Sequence, residues 1–491
     1  MQLQSASSFS ERSSSDVLII PFWQEGKKAA PACPMQEFRA LYALPVDEAD
    51  FKGSEGETLF LYKKQGKETR VLLLGLGKKT ECAPEVLRKA YASALKACRK
   101  KKLKQISAAL PETECPAAYP ATEGMLLANY AFDHLKSKKE ELSPLVQKIC
   151  LVGINKETLK ECRNAQTVIS AVNFARDLIN GNADDVTPQL LSKTAQDLEK
   201  ESKAIKTTIL DKKAIEKLGM GLLLAVNRGS TRDPAFIIVE YKGNPGSSDL
   251  TALVGKGITY DTGGLHLKAT GMETMKDDMS GGAAVLGTIK AAAALGLKVN
   301  IVGAIASTEN AIGPNSYKMG DVYQSYSGKT VEITDTDAEG RLVLSDAVSY
   351  VEDHFKPSRI IDLATLTGGI IVSLGEEASG LFSNDDQLAE SLIRSGKHTY
   401  ERLWRFPLFT EYKEGLKSSI ADMRNSPPAR KASSIMGGMF IQEYIKKTPW
   451  AHLDIAGTAF LSGPRHYHTT NATGVGVRLL IDYLIHHEKT V

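Results

Sequence analysis

The sequence predicts an α/β protein with two domains: a smaller N-terminal α/β domain, and a larger C-terminal domain built on a doubly wound mixed sheet. The chain has 491 residues, more than one ordinary domain holds and enough to bury a large core. Short apolar runs alternate with stretches of helical periodicity, which is typical of α/β folds. We expect the domains to span residues 1–163 and 164–491, with a linking helix at about 155–180.

Five β-rich runs and one long helical stretch predict the N-terminal domain. The helix is expected at "APEVLRKAYASALKACRKKKL", and strands are expected at "DVLII", "TLFLYKK", "RVLLLGLG", "KQISAAL" and "KICLVGI". The serine-rich start of the chain lacks the basic and apolar segments of a secretory signal. We expect this start to be a frayed tail.

Six apolar runs predict the strands of the C-terminal domain. They are "TTIL", "AFIIVEY", "LTALVG", "VNIVGAIA", "KTVEIT" and "RIIDLATL", and helices between them are expected at "GAAVLGTIKAAAALG" and "LVLSDAVSYVEDHF". Nearly continuous apolar strands indicate a sheet that is covered on both faces. In a doubly wound sheet the ligand site lies off the carboxyl ends of the strands, so chemistry is expected there.

Composition excludes several classes of protein. With 42% hydrophobic and 24% charged residues and no apolar run of about 20 residues, the chain has the profile of a soluble globular protein. The 61 basic and 58 acidic side chains nearly balance, so no general attraction to nucleic acid or membranes follows. The basic cluster "CRKKKLK" (98–104) fits a solvated helix end better than a phosphate-binding patch.

The cysteines favour a cytoplasmic protein with reduced thiols. None of them forms a C-x-x-C pair, which argues against both a thiolate zinc site and a disulfide framework. All six lie in the first third of the chain: Cys33, Cys82, Cys98, Cys115, Cys150 and Cys162.

Three polar clusters follow predicted strands, where this architecture places a site. They are "GKGITYDTGGLHLK" (255–268), "KDDMSGG" (276–282) and "DTDAEGRL" (335–342). In an extended segment alternate side chains share a face, so Asp337 and Glu339 could converge on one point. Carboxylates that meet in a partly buried cleft repel one another unless cations neutralise them, and divalent metals do so compactly. Carboxylate-rich two-metal sites are a recurring hydrolytic device.

Each cluster also has a plainer interpretation. Asp278 before a helix could be an N-cap, and "TDAEG" could be a polar turn that leads into a helix. Lys256 and Lys268 could be solvated surface lysines. The joint appearance of the three clusters favours a site, but their spacing alone leaves both interpretations open.

Other familiar motifs are absent from the sequence. "GLGKKT" (75–80) fails the phosphate-loop spacing because position 72 is Leu, and no G-x-G-x-x-G opens a helix at the glycine-rich stretch. Neither G-x-S-x-G nor H-E-x-x-H occurs. The histidines of "RHYH" (465–468) and "HH" (486–487) are expected to be surface residues rather than metal ligands.

Six motifs in order resemble the cytosolic leucyl aminopeptidase family, whose members are two-metal enzymes. The resemblance covers roughly residues 165–491 and is weak before them. The motifs are "VGKGITYDTGGLHLK", "METMKDDMSGGAAV", "DTDAEGRLVLSDA", "DLATLTGG", "NSPPARKASSIMGGMF" and "WAHLDIAGTAF".

The resemblance implies two divalent metal ions per subunit, manganese or zinc, with magnesium as a further candidate. The positions that match the family's ligands are Lys256, Asp261, Asp278, Asp337 and Glu339. By resemblance, Asp261 and Glu339 would bridge both ions. Lys256 and Asp278 would complete the tighter site, and Asp337 would belong to the more exchangeable one. A lysine ligand must bind as the neutral amine, which requires a metal and burial to depress its pKa.

The resemblance also implies the catalytic groups and the substrate. Lys268 would stabilise the oxyanion of a tetrahedral intermediate, and Arg341 would hold a bicarbonate ion that acts as general base. The residues matched to the substrate pocket are Met275, Thr365, Leu366 and Gly368. An apolar wall there suits a leucine-like side chain at the N-terminus of a peptide.

The sequence departs from the family pattern at a few positions. Asp335 stands where Asn is usual, "MSGGAA" where M-G-G or M-x-G-A is usual, and Pro428 where Gly is common. None of these is a position matched to a ligand. No role for Asp335 follows from the sequence.

Further expectations concern partners and alternatives. The resemblance implies a homo-hexamer, peptide substrates and a cytoplasmic location, with no membrane partner. Nucleic-acid binding stays open as a secondary role, since some bacterial relatives bind DNA. A metal-binding protein without activity is disfavoured because Lys268 and Arg341 are both present.

Overall fold

A computed structural model describes residues 1–33, 50–64, 66–428 and 431–488, so residues 429 and 430 of the fifth family motif lie outside the described residues. The chain divides into two units. The first comprises residues 1–169 and 463–470, and the second residues 170–462 and 471–491. The boundary expected between residues 163 and 164 stays a prediction.

A seven-stranded mixed sheet forms the first unit. Its strands are β1 (Gln2–Ala6), β2 (Val17–Glu25), β3 (Lys28–Pro31), β4 (Thr58–Tyr62), β5 (Arg70–Gly75), β6 (Gln105–Ala109) and β7 (Lys148–Val152). The order is β1-β7-β6-β2-β5-β4, with β3 paired to β2. All five predicted runs lie in strands of this sheet.

The expected frayed tail is wrong, because the start of the chain forms the edge strand β1. Gln2–Ala6 pairs in parallel with Lys148–Val152, and the side chains of Leu3 and Ala6 are buried. Burial of these two side chains and the ladder of backbone hydrogen bonds outweigh the polar composition, which had suggested disorder.

Among the described residues of this unit, α-helices form wholly or partly at α1 (Pro84–Lys100), α2 (Ala118–Ala128) and α3 (Lys156–Asn180). Helix α3 is the helix expected at about 155–180, and the chain passes from the first unit to the second within it. The basic cluster does end a helix, since Arg99 and Lys100 form the last turn of α1. Arg99 donates hydrogen bonds to the carbonyl oxygens of Ala128 and Tyr130, so this cation is engaged by the fold.

An eight-stranded mixed sheet is the centre of the second unit. Its strands are β8 (Ile205–Leu210), β9 (Ala235–Lys242), β10 (Thr251–Asp261), β11 (Asn300–Asn310), β14 (Arg359–Ala364), β15 (Ser379–Ser383), β16 (Leu403–Arg405) and β18 (Trp450–Asp454). The order is β16-β15-β18-β14-β10-β11-β9-β8. Strand β10 is parallel to both of its neighbours, β11 and β14.

Two smaller sheets accompany it. One contains β12 (Val322–Gln324), β13 (Thr330–Glu332) and β17 (Met423–Arg424), and the other contains β19 (Phe460–Leu461) and β20 (Asn471–Ala472). The run "KTVEIT" therefore forms a strand, β13, but the expectation that it joins the main sheet is wrong. The Glu332 carboxylate accepts a hydrogen bond from Ser418 Oγ. A strand of three residues that carries such a polar side chain suits a small separate sheet.

The helices of the second unit include both helices that the sequence predicts. They are α4 (Pro188–Glu201), α5 (Lys212–Leu218), α6 (Gly221–Asn227), α7 (Ser280–Leu295), α8 (Gly340–Phe355), α9 (Gly368–Leu374), α10 (Asp386–Thr399), α11 (Ser433–Gln442) and α12 (Val477–Glu488). No described helix is both long and apolar enough to cross a membrane.

Strand β18 is central in the sheet, yet its sequence "WAHLD" does not look like a buried strand. The carboxylate of Asp362 on β14 accepts hydrogen bonds from the Trp450 indole at 2.7 Å and pairs with His452 Nδ1 at 2.5 Å. Because the Asp362 carboxylate meets both the Trp450 indole and His452 Nδ1, these polar groups can be buried within the strand.

Close backbone contact fixes helix α7 against the sheet. A Cβ added at Gly281 would lie 2.0 Å from the carbonyl oxygen of Leu363 on β14, and one at Gly255 on β10 would lie 2.6 Å from Gly282. Only glycine permits this approach, which sets the first turn of α7 beside the middle of β10 and the end of β14.

Replacing Gly281 by alanine is expected to destabilise the fold by about 3 kcal/mol, because the added methyl group meets rigid backbone rather than a movable side chain. Chemical denaturation followed by circular dichroism measures the free energy of unfolding. Gly246→Ala is the matched control, since nothing lies within 4 Å of a Cβ at that position. Equal stability of the two variants would contradict the packing argument.

Candidate active site

The three polar clusters meet at the carboxyl ends of β10 and β14. Strand β10 carries Lys256 in its middle and Asp261 at its end, and Lys268 lies in the loop that follows. Asp278 precedes α7. Asp337 and Glu339 follow β13 and come before α8, and Arg341 lies in the first turn of α8. Thr365, Leu366 and Gly368 follow β14, and Met275 lies in the short helix Met272–Asp277 that precedes Asp278.

Asp337 and Glu339 converge for a reason other than the predicted one. Residues 336 and 337 form a turn rather than an extended segment, and Glu339 already has helical angles of φ −79° and ψ −34°. Candidate ligand atoms of Asp261, Asp337 and Glu339 nevertheless all lie within 4.8 Å of one another. The turn and the N-cap position of α8, not strand alternation, bring these carboxylates together.

Lys256 is buried among acids and is not a surface lysine. Its Nζ lies 2.7 Å from Asp278 Oδ1 and 2.7 Å from Glu339 Oε1, and it donates to the carbonyl oxygen of Thr365 at 3.1 Å. A Cβ added at Gly340 would lie 2.4 Å from Lys256 Cε. The glycine after Glu339 therefore leaves the space that the lysine side chain occupies.

Asp278 is not the N-cap of α7, so that plainer interpretation is wrong. The N-cap position belongs to Met279, and no side chain caps the helix. Asp278 Oδ1 instead accepts hydrogen bonds from Lys256 Nζ at 2.7 Å and from Thr365 Oγ1 at 2.8 Å.

Lys268 pairs with the other two acids of the cluster. Its Nζ lies 2.7 Å from Asp261 Oδ2 and 2.5 Å from Asp337 Oδ1. Asp261 Oδ1 accepts from the Gly263 amide at 2.9 Å and from Asn310 Nδ2 at 2.8 Å. Asp261 is thus fixed on both of its oxygens.

Burial and mutual repulsion raise the pKa values of the clustered carboxyl groups. Burial is the largest cause for Asp261, Asp278 and Asp337. The charge of Glu339 adds to it for Asp261 and Asp278. Burial also raises the pKa of Asp277, a neighbouring acid, to about 7. The cluster therefore carries unfavourable negative charge that additional cations would relieve.

The same acids act in the opposite direction on the two lysines. Burial by itself lowers the pKa of Lys256 and of Lys268, but the nearby carboxylates outweigh it and raise both above the ordinary value. Asp278 is the largest such influence on Lys256, and Asp261 on Lys268. In this arrangement both ammonium groups supply positive charge to the site.

The donor set fits divalent cations. Asp278 Oδ2 and Glu339 Oε2 are buried and have no hydrogen-bond partner among the described residues. An unsatisfied buried acceptor is costly unless a cation or a donor meets it. Together with Asp261 and Asp337, these atoms form an oxygen-rich group of the kind that zinc, manganese and magnesium bind.

A cavity of about 470 Å³ opens onto the cluster. The two lysines and all of the matched acids line it, and so do the four residues matched to the substrate pocket. Its other lining residues include several apolar side chains. The matched pocket residues are Met275, Thr365, Leu366 and Gly368, and the additional apolar ones are Ile371, Ala456, Phe460 and Leu461.

Arg341 is buried beside this cavity in the first turn of α8, but it is not among the residues that line the cavity. Its Nη1 donates to the carbonyl oxygen of Asn425 at 2.8 Å, and its Nε has no hydrogen-bond partner among the described residues. Burial lowers the pKa of Arg341, and the charges of Asp335 and Glu339 partly oppose this. The Nε–H of this buried cation is therefore a donor without an acceptor among the described residues.

The structure gives Asp335 a contact and a role. Its Oδ1 lies 2.7 Å from His266 Nδ1 and accepts a hydrogen bond from the backbone amide of Asp337 at 2.9 Å. Asp335 thereby holds the turn that presents Asp337, and it links this turn to the loop after β10.

Two asparagine side chains that the sequence did not single out hold the loops of the site in place. Asn310 Nδ2 bonds to Asp261 Oδ1 and, at 3.0 Å, to the carbonyl oxygen of Thr336. Asn425 Nδ2 donates to the carbonyl oxygen of Asp335 at 2.6 Å. Asn310 ends β11, and its place at this edge of the sheet is the one signal that could have revealed it.

Family comparisons agree over both parts of the chain. The model of the "Cytosol aminopeptidase family, catalytic domain" matches residues 173–481, and that of the family's N-terminal domain matches residues 19–139. A probable cytosol aminopeptidase of Protochlamydia amoebophila is 53% identical over 96% of each chain. One from Chlamydia trachomatis is 43% identical over 98% of each chain.

Two solved structures of similar proteins match nearly the whole chain. A mutant of tomato leucine aminopeptidase has a TM-score of 0.88 and 30% identity, covering 99% of this chain and 96% of its own. The bottromycin maturation enzyme BotP, in complex with Mn, has a TM-score of 0.85 and 28% identity, covering 97% of this chain and 100% of its own. Since the catalytic family model, the curated relatives and the structures all agree, the chain belongs to the cytosol aminopeptidase family and is an aminopeptidase.

Proposed function

We propose that the protein is a dinuclear metal-dependent aminopeptidase that releases N-terminal residues, preferably leucine-like ones, from peptides. The observation that carries this proposal is the cavity in which Asp261, Asp337 and Glu339 offer ligand atoms within 4.8 Å of one another. The same cavity has an apolar wall that includes Met275 and Leu366.

The matched residues divide between two ions. Asp261 and Glu339 would hold both ions, Lys256 and Asp278 would complete one site, and Asp337 would belong to the other. The unpartnered oxygens Asp278 Oδ2 and Glu339 Oε2 support this assignment. Manganese or zinc is favoured, with magnesium as a further candidate, and the structural relative BotP is described in complex with Mn. When bound, such ions supply Lewis-acid activation of the attacking water, whose pKa falls from 15.7 toward about 7.

The chain's own residues bind the ions, orient the substrate and stabilise the charge that develops during the reaction. As a metal ligand, Lys256 would serve as a neutral amine, so its ammonium group would give up a proton in the loaded site. Lys268 stays cationic and donates to the oxygen that becomes negative as the peptide carbonyl is attacked. Arg341 would hold a bicarbonate ion, which would supply the general base for the water, and the unpartnered Nε of Arg341 supports an anion there. The apolar wall positions the side chain of the N-terminal residue.

We also propose the setting of this activity. Peptides are the substrates, the protein acts in the cytoplasm, as the family's description suggests, and it assembles as a homo-hexamer. Light scattering in solution measures the mass of the assembly, and a monomeric mass would contradict the hexamer.

The specificity of the pocket provides the test of this function. With manganese present, the protein is expected to hydrolyse leucine amide with a kcat/KM about 10 to 100 times that for glycine amide, because burial of a leucine side chain contributes about 1.5 to 3 kcal/mol. Both amides carry the same leaving group, which makes them a matched pair. No metal-dependent hydrolysis of either amide would refute the proposed function, whereas equal rates would refute only the leucine preference.

A further inference from the structure

A second cluster of metal-ligating side chains lies on helices α10 and α12, apart from the cavity. His398 is near the end of α10, and Asp482 and His486 are on α12, one helical turn apart. Residues four apart on a helix share a face, so Asp482 and His486 point the same way. We propose that His398, Asp482 and His486 form a surface site for a zinc ion or a similar transition-metal ion.

The three groups already have the compactness of a metal site. His398 Nδ1 lies 2.7 Å from Asp482 Oδ1, and His486 Nδ1 lies 3.3 Å from Asp482 Oδ2. Candidate ligand atoms of all three residues lie within 4.8 Å of one another. Ligands at about 2.0 to 2.2 Å from zinc require separations of this order.

The carboxylate at the centre of the cluster is incompletely satisfied. Asp482 Oδ2 is buried and accepts no hydrogen bond from the described residues, although the side chain is 15% exposed. His486 Nδ1, at 3.3 Å from this oxygen, bonds instead to the carbonyl oxygen of Asp482 at 2.8 Å. The two imidazoles are 63% and 48% exposed, so an ion can reach the site from solvent. An ion that replaced the imidazole protons would satisfy the orphaned oxygen and join the two helices.

The ligand types select the ion. Two imidazoles and one carboxylate suit zinc, copper or nickel, whereas manganese and magnesium prefer sets dominated by oxygen. Three protein ligands leave one position open to water or to a ligand from solvent. The site therefore differs in chemistry from the acid-rich cavity, and its ion serves to join α10 to α12.

Zinc content tests the proposal without reference to catalysis. The full-length protein is saturated with zinc, freed of unbound metal by gel filtration and analysed by mass spectrometry for zinc per subunit. The variant with both His398→Gln and His486→Gln is expected to hold one zinc ion fewer than the wild type, whatever occupies the cavity. His354→Gln, which removes an exposed histidine from α8, is expected to keep the wild-type content.

Equal zinc content in the double variant and the wild type would overturn the proposal and leave the cluster as a pair of His–Asp ion pairs. Circular dichroism confirms that the variants are folded. Should the double variant not fold, His398→Gln alone provides the same comparison, because this side chain lies exposed at a helix end. The result is a difference in metal content, so a failure here would be distinct from failure of the aminopeptidase assay.

Discussion

Replacing Glu339 by alanine is expected to abolish metal-dependent release of leucine, with kcat/KM reduced more than about 1,000-fold. This carboxylate is the proposed bridge between the two ions, so its loss removes a ligand from both. Removal of a single preorganised electrostatic group already lowers kcat by about 100- to 1,000-fold in enzymes. Hydrolysis of leucine amide with manganese measures the effect, and elemental analysis is expected to show fewer than two ions per subunit in the variant.

A matched control separates ligand loss from loss of charge in general. Glu273 is exposed, lies in the short helix before Asp278, and does not line the cavity. Glu273→Ala is expected to retain both activity and metal. Wild-type activity in Glu339→Ala, with folding verified by circular dichroism, would remove Glu339 from the site.

Replacing Lys268 by methionine is expected to lower kcat by about 100- to 1,000-fold while the protein keeps two ions per subunit. The ammonium group is the proposed donor to the developing oxyanion, and such donors contribute mainly in the transition state. KM is therefore expected to change little. Steady-state kinetics of leucine amide hydrolysis, together with elemental analysis, distinguish this outcome from loss of metal.

A nearby lysine offers the comparison for this variant. Lys276 donates to the carbonyl oxygen of Asn180 at 2.8 Å and does not line the cavity. Lys276→Met is expected to keep nearly the wild-type kcat. If Lys268→Met kept full kcat, or lost activity only through loss of metal, its role as an oxyanion donor would be wrong.

The sequence predicts those strands whose apolar residues are also buried in the structure. Strands β10 and β11 are long apolar runs, and burial of nearly every residue explains why the pattern is so clear. Strand β18 was not predicted, because His452 and Asp454 hide its buried nature until their partners are known. Strand β1 was missed for a related reason, since its pairing with β7 joins segments that are far apart in the sequence.

The spacing of the acidic residues predicted that a site exists, but not which residues are its metal ligands. The residues suggested a carboxylate cluster, but their assignment to ligands rested on the family resemblance. Strand alternation gave the wrong reason for the meeting of Asp337 and Glu339, because the turn at 336–337 depends on a hydrogen bond to Asp335. Asn310 and Asn425 stabilise the loops from distant parts of the chain. Asn425 opens the motif "NSPPARKASSIMGGMF", but its contact with the carbonyl oxygen of Asp335 cannot be inferred from the motif alone.

Stepwise reconstitution with manganese tests the central claim, a catalytic site of two metal ions, most directly. The metal-free protein is titrated with manganese while hydrolysis of leucine amide is followed. Two ions per subunit at the acid-rich cavity predict no turnover without metal and a rate that reaches its plateau at two equivalents per subunit. Turnover by the metal-free protein, or a plateau at one equivalent, would contradict the account.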